Sequence, residues 1–407
     1  MLAKLGMQLV LEWLNRKNVT AHAKTVPEAV KDVMDQATYE KSVRYTLDQS
    51  RFHQVALSYR VVVLMVILFS GVLPWSHDLC KAAWGESPWA MAMYLFIVGA
   101  AISSLSLPLD WFEQFQLEAR YGFNTMTGRL WWIDRLKGLA LALVLGLPLL
   151  ALVLQLVEWT GLRWWFWAWA ALMGFQMVIT VLAPVVILPL FNKFSPLQDE
   201  NLRTRLTELA ERTRFQARSI QVMDGSRRSR HSNAFFTGFG RFRKIVLFDT
   251  LIEQLSPVEL EAVLAHEIGH FRKKHIPKLL ALSALASLAG FFTISLLAQQ
   301  EWFYRAFGFD SGSIVPALLL FALLSGVVTF WFSPLANWWS RRYEFQADAF
   351  ASQVMNETDS LAGALRKLAE KNLSNLTPHP AYSCFYYSHP TLLEREAAFK
   401  KRAPTAP

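Results

Sequence analysis

Six stretches of this chain are apolar over lengths that suit bilayer-crossing helices, some of them extended by polar ends: residues 61–75, 89–109, 136–157, 164–191, 276–298 and 314–332. Residues 2–14 are apolar in part but carry Lys4, Gln8 and Glu12, a pattern that predicts a shortened first helix. Polarity rises over residues 192–257, which read as a cytosolic α/β segment. Apolar positions recur at helical spacing over 202–215, and Ser219–Met223 and Lys244–Phe248 read as short strands. Gly238-Phe239-Gly240 marks the turn between them, and residues 233–236 extend a strand. Ser256-Pro257-Val258-Glu259 then predicts a helix start, with a capping box and proline at the first helical position.

Composition supports the membrane reading. The 407 residues are 53% hydrophobic and include 16 Trp and 29 Phe, more than a soluble core of this length requires. Threading the chain through the six spans places all but four of its 41 Lys and Arg on one face, the exceptions being Lys4, Lys81, Arg163 and Arg305. By the positive-inside rule that face is cytosolic. The net charge of +9 then reflects anionic headgroups and implies no nucleic acid. The chain divides into 1–191 (N-terminal helix and four spans), 192–275 (α/β segment and the capped helix), 276–333 (two further spans) and 334–407 (a cytosolic C-terminal part). Cys80 and Cys384 fall on opposite sides of the membrane by this threading and do not pair.

The capped helix contains His266-Glu267-Ile268-Gly269-His270. Four residues apart on a helix, the two imidazoles share a face and can grip one Zn²⁺, while Glu267 lies where the attacking water would sit and is the candidate general base. Catalytic zinc takes three protein ligands, so the chain must supply another. Just after the last span, Glu344 and Asp348 share a helix face. Glu344 is the candidate third ligand and Asp348 the candidate acceptor that orients a ligating imidazole. His275, five residues beyond His270, is off the ligand face.

With these motifs, and with Tyr121-Gly122-Phe123-Asn124, Asn233-Ala234-Phe235, Asn337, Arg341 and His389-Pro390-x-x-x-x-Arg395, the chain resembles the integral-membrane CAAX prenyl proteases, zinc peptidases that process isoprenylated C-terminal peptides. The resemblance implies seven helices around a water-filled intramembrane chamber, Asn233 and Ala234 on the substrate backbone, and His389 and Arg395 at the oxyanion of the tetrahedral intermediate. Read from residues alone, His389-Pro390 is a helix-start turn and residues 233–236 serve equally as a surface hairpin. The expectation is therefore a multi-spanning α-helical membrane protein with a cytosol-facing, mainly α zincin-like domain. It acts as a monomeric zinc endopeptidase on peptide or protein substrates, prenylated ones included, in a bacterial inner membrane or the endoplasmic reticulum. A heat-shock-type quality-control protease and a transporter or scaffold with structural zinc are the alternatives.

Overall fold

The computed structural model describes residues 1–216, 219–237 and 244–402, so the expected turn at Gly238 and Gly240 lies outside the described residues. Among the described residues four helices are long and apolar enough to cross a membrane, Gln36–Phe69, Gly128–Phe191, His275–Leu297 and Ile314–Met355, and the bent pair Pro88–Ser104 and Leu107–Tyr121 makes a fifth if it is one span. The stretch Gly128–Phe191 is itself folded back at Gly161, whose φ of +54° reverses the chain so that its two arms, 128–160 and 164–191, pack on each other. Two of the six expected spans lie in those arms.

The apolar run 61–75 is not one helix. Helix α2 (Gln36–Phe69) stops at Ser70, and Gly71 in the left-handed region (φ +80°) turns the chain into α3 (Val72–Trp84). Hydropathy registers composition and is blind to a backbone reversal between apolar residues.

Helix α1 (Leu2–Ala21) is 20 residues long, which corrects the expectation of a helix ending near residue 14. Its buried residues Gln8, Leu11, Glu12, Asn15 and Val19 fall at i, i+3, i+4, i+7 and i+11, one stripe of the helix. The polar members of that stripe face protein partners: Glu12 accepts hydrogen bonds from Ser50 Oγ and from Tyr382 Oη at 3.4 Å. A polar stripe answered by neighbouring side chains explains why α1 holds together without the hydropathy of a span.

The remaining elements used below are α4 (Pro88–Ser104), α5 (Leu107–Tyr121), α6 (128–160), α7 (164–191), α8 (Glu200–Arg212), α9 (Asp249–Gln254), α10 (Pro257–Arg272), α11 (His275–Leu297), α12 (Ile314–Thr329), α13 (Ser333–Met355), α14 (Asp359–Lys371), α15 (Pro380–Tyr386) and α16 (Leu392–Arg402). Strands β1 (Phe194–Pro196), β2 (Ser219–Met223), β3 (Ala234–Thr237) and β4 (Lys244–Phe248) form one sheet in the order β1-β2-β4-β3. β2 runs parallel to β4, the outer pairs are antiparallel, and β3 lies at an edge with Phe235 opposite Val246. The sheet, α8, α10 and α14 enclose a core that includes Leu206, Ile245, Leu247, Leu260 and Ile268, each at most 1% exposed. Burial of each such side chain is worth about 1.5–3 kcal/mol. Cys80 and Cys384 are both free thiols.

Candidate active site

Helix α10 is defined at its start. Ser256 Oγ accepts from the backbone N–H of Glu259, whose carboxylate accepts in return from the Ser256 N–H at 2.8 Å, and Pro257 occupies the first turn. Lys367 Nζ on α14 reaches the same carboxylate at 2.7 Å. From this anchor the helix presents Leu260, Leu264, Ala265 and Ile268 to the core and turns His266 and His270 toward α13. The two helices approach closely at Gly269: a Cβ placed there would lie 3.0 Å from the Ala347 Cα. That contact sets how far Glu344 and Asp348 stand from the histidines.

Among the described residues, His266, His270 and Glu344 form the group of His, Cys, Asp and Glu able to hold a metal ion, with ligand atoms all within 4.8 Å of one another. The two Nε2 atoms are 3.2 Å apart, His270 Nε2 is 3.3 Å from Glu344 Oε1, and His266 Nε2 is 3.4 Å from Glu344 Oε2. Ligands bound at about 2.0–2.1 Å on the corners of a tetrahedron stand about 3.3–3.4 Å apart, so the donor set fits an ion of zinc's size. Glu344 Oε2 is buried and has no hydrogen-bond partner, as an atom reserved for a cation would be. Burial alone would lower the His266 imidazole, but the neighbouring Asp348 and Glu344 carboxylates push it up to about 9. The pocket thus carries surplus negative charge that a bound cation would neutralise.

His266 Nδ1 is held by Asp348 Oδ1 at 2.8 Å, and Asp348 is 0% exposed. Arg395 donates through Nε to Asp348 Oδ2 at 2.9 Å and through Nη2 to Oδ1. Arg395 is buried and sits on the Nδ1 edge of His266, with Nη2 at 3.4 Å, whereas the ligand atom Nε2 is on the opposite edge of the ring. A guanidinium so placed braces the carboxylate that orients His266. His389 differs: its exposed side chain brings Nε2 to 3.5 Å from Glu344 Oε1, at the open side of the cluster. The helix-start reading of this segment also holds, since Thr391 and Glu394 cap α16 reciprocally.

Glu267 is partly buried beside the two histidines, and loss of hydration holds its carboxyl above the usual range. Asn233 is exposed at the head of β3, where its side chain accepts from the Ala234 N–H at 2.8 Å. β3 lies against α10, the helix that carries His266 and His270. The loop after Tyr121 seats this strand: Phe123 stacks on His231 with centroids 4.2 Å apart, and the Phe123 carbonyl accepts from the Arg230 N–H at 3.1 Å.

Sequence reading attached no role to the grip on α15. From one side Asn15 Oδ1 accepts from the His379 N–H at 3.2 Å, and from the other Asn337 donates to the Phe385 carbonyl at 2.7 Å. Arg341 donates to the carbonyls of Ser383 and Tyr387, both at 2.9 Å. Asn337 and Arg341 therefore steady the segment that ends at His389. His275 was also missed: it is 1% exposed and its Nδ1 is 3.1 Å from His270 Nδ1.

Comparisons with known proteins identify the family. A family model described as the CAAX prenyl protease N-terminal region, with five membrane helices, matches residues 15–193, and the model for peptidase family M48 matches residues 196–403. The chain is 36% identical to a CAAX prenyl protease 1 homolog of Arabidopsis thaliana, over 96% of this chain and 94% of that one. It is also 36% identical to CAAX prenyl protease 1 of Saccharomyces cerevisiae, over 92% and 88%. The crystal structure of S. mikatae Ste24p superposes with a TM-score of 0.90 at 32% identity, covering 98% of this chain and 96% of that one. A multi-spanning membrane chain with these motifs, these matches and this fold belongs to peptidase family M48, in its CAAX prenyl protease branch.

Proposed function

We propose that the chain is a zinc endopeptidase that cleaves extended peptides at the membrane and processes prenylated C-termini of the CAAX type. The observation that carries this reading is the spacing of the His266, His270 and Glu344 donors, 3.2–3.4 Å, on a helix that packs against the edge strand β3. Two nitrogens and a carboxylate suit zinc, whereas calcium and magnesium prefer all-oxygen cages. One zinc ion held by these three residues supplies Lewis acidity toward the scissile carbonyl and toward water.

The protein's own groups do the rest. Glu267 takes the proton of the attacking water and passes it to the leaving amine, a transfer that a carboxyl held above its usual range serves well. Asn233 and Ala234 hold the substrate backbone along β3, which gives affinity without demanding one side-chain sequence. His389 donates to the oxyanion. Arg395 and Asp348 keep His266 in the required tautomer.

The seven-helix chamber follows from the resemblance; a cavity of about 630 Å³ whose lining includes His231 and Tyr387, each two residues from a proposed substrate-site residue, offers room for a peptide beside the site. The lopsided Lys and Arg distribution supports a cytosolic active site. The test is hydrolysis of a farnesylated C-terminal peptide beside its unprenylated twin. Faster cleavage of the farnesylated peptide is expected; equal rates would remove the prenyl-specific part, and no cleavage of either would remove the whole proposal.

A further inference from the structure

His270 needs a partner on its Nδ1 for the same reason His266 does: a ligating imidazole free to turn about its χ angles holds a metal weakly. For His266 the partner is the Asp348 carboxylate on α13. α13 has no equivalent for His270 on that face. The polar residue between Glu344 and Asp348 is Gln346, and its side chain meets His275 and not His270.

The gap is bridged from α11. α10 ends at Arg272, and Lys274 adopts the left-handed conformation (φ +56°), rare for a residue with a β-carbon, which turns the chain so that α11 begins with His275 behind His270. The His275 ring lies flat on Tyr343, with centroids 4.1 Å apart and an interplanar angle of 9°. Its Nδ1 is 3.1 Å from His270 Nδ1, and its Nε2 is 3.0 Å from Gln346 Oε1.

Two ring nitrogens at hydrogen-bond distance require one donor and one acceptor. With His270 Nε2 committed to the metal, its Nδ1 carries the proton and donates. His275 Nδ1 is then the acceptor, its proton is on Nε2, and that Nε2–H donates to the Gln346 carbonyl oxygen. Each bond fixes the direction of the next.

We propose that His275 and Gln346 form a neutral relay that fixes the tautomer and ring orientation of His270, as Asp348 and Arg395 do for His266. His275 is in this account a positioning residue that never meets substrate. The proposal rests on the zinc-site reading above.

The test uses the full-length protein in detergent, stripped of metal and titrated with Zn²⁺ against a chromophoric chelator. His275→Phe keeps a ring to stack on Tyr343 but removes both nitrogens. It is expected to bind zinc about 10–100-fold more weakly, the usual cost of losing such a partner, while the metal-free protein melts as wild type does. His275→Asn places an amide oxygen where Nδ1 stood and should recover most of that affinity. Gln346 is exposed, so Gln346→Leu disturbs no core and should weaken zinc several-fold even if the phenylalanine variant folds poorly. Wild-type zinc affinity in both His275→Phe and Gln346→Leu, or no recovery in His275→Asn, would overturn the relay. Failure of the wild-type protein to bind zinc would instead overturn the site reading.

Discussion

Gly269→Ala is the most informative single perturbation, because it adds one methyl group at the point where α10 meets α13. The new Cβ would lie 3.0 Å from Ala347 Cα, 3.1 Å from the Ala347 carbonyl oxygen and 3.2 Å from Phe350 Cβ. Ordinary contacts between carbon atoms are about 3.5–4.0 Å, so the helices must separate locally by about 0.5 Å or more. Two of the three atoms are backbone, and no rotamer change relieves them. Helix propensity favours alanine by about 1 kcal/mol, against about 1–3 kcal/mol for overpacking, so the fold loses at most about 2 kcal/mol. The metal site is less tolerant: ligand distances must hold to within about 0.2 Å, and Glu344 and Asp348 flank Ala347 on the displaced helix. The expected result is a protein that still folds, with a modest drop in melting temperature, but binds zinc about tenfold or more weakly and loses turnover in proportion at limiting metal. Zinc titration and a thermal melt of the same preparation measure both quantities. Wild-type zinc affinity with wild-type activity would refute the claim that the Gly269 contact sets the ligand spacing.

Four further outcomes are expected. Glu267→Gln should retain one zinc per chain by elemental analysis while kcat falls about 10²–10⁴-fold, the usual share of a general base. Glu344→Ala should lose zinc, since it removes one of three protein ligands; unchanged metal content would mean that the third ligand lies elsewhere. His389→Ala and Arg395→Ala should behave differently from each other. The first should keep zinc and KM while kcat falls about 10²–10³-fold, and the second should weaken zinc because buried Asp348 loses the guanidinium that neutralises it and is held by His266 alone. For Glu259, burial alone would raise the carboxyl, but Lys367 and the Ser256 N–H hold it below its ordinary value of 4.5. Its stabilisation is therefore complete above that pH and is lost as pH falls through the depressed value. Glu259→Gln should lower stability by about 0.5–2 kcal/mol at pH 7 and flatten the acid limb of a melting-temperature profile.

What the chain determines by itself is local or periodic. The pairing of His266 with His270 follows from helical spacing, the start of α10 from Ser256, Pro257 and Glu259, and the strands Ser219–Met223 and Lys244–Phe248 from short apolar runs, all visible within a few residues. That Glu344 joins the two histidines was legible for a chemical reason: a two-histidine metal site is incomplete, and Glu344 sits in a helical pattern with a carboxylate one turn on. Backbone reversals were not legible. Gly71 and Gly161 redirect apolar runs through φ, a variable that hydropathy does not contain, and the left-handed Lys274 moves His275 from the wrong face of an imagined continuous helix to the back of His270. Arg395 carries the same lesson in electrostatic form. Its residue type suits an oxyanion or a carboxylate equally, and only the packing of α16 beside α13 commits it to Asp348, 47 residues away in sequence. Residue identity states what a side chain can do; which partner it meets is decided by contacts between elements far apart in the chain, because tertiary packing selects among hydrogen-bond partners that local sequence leaves equivalent.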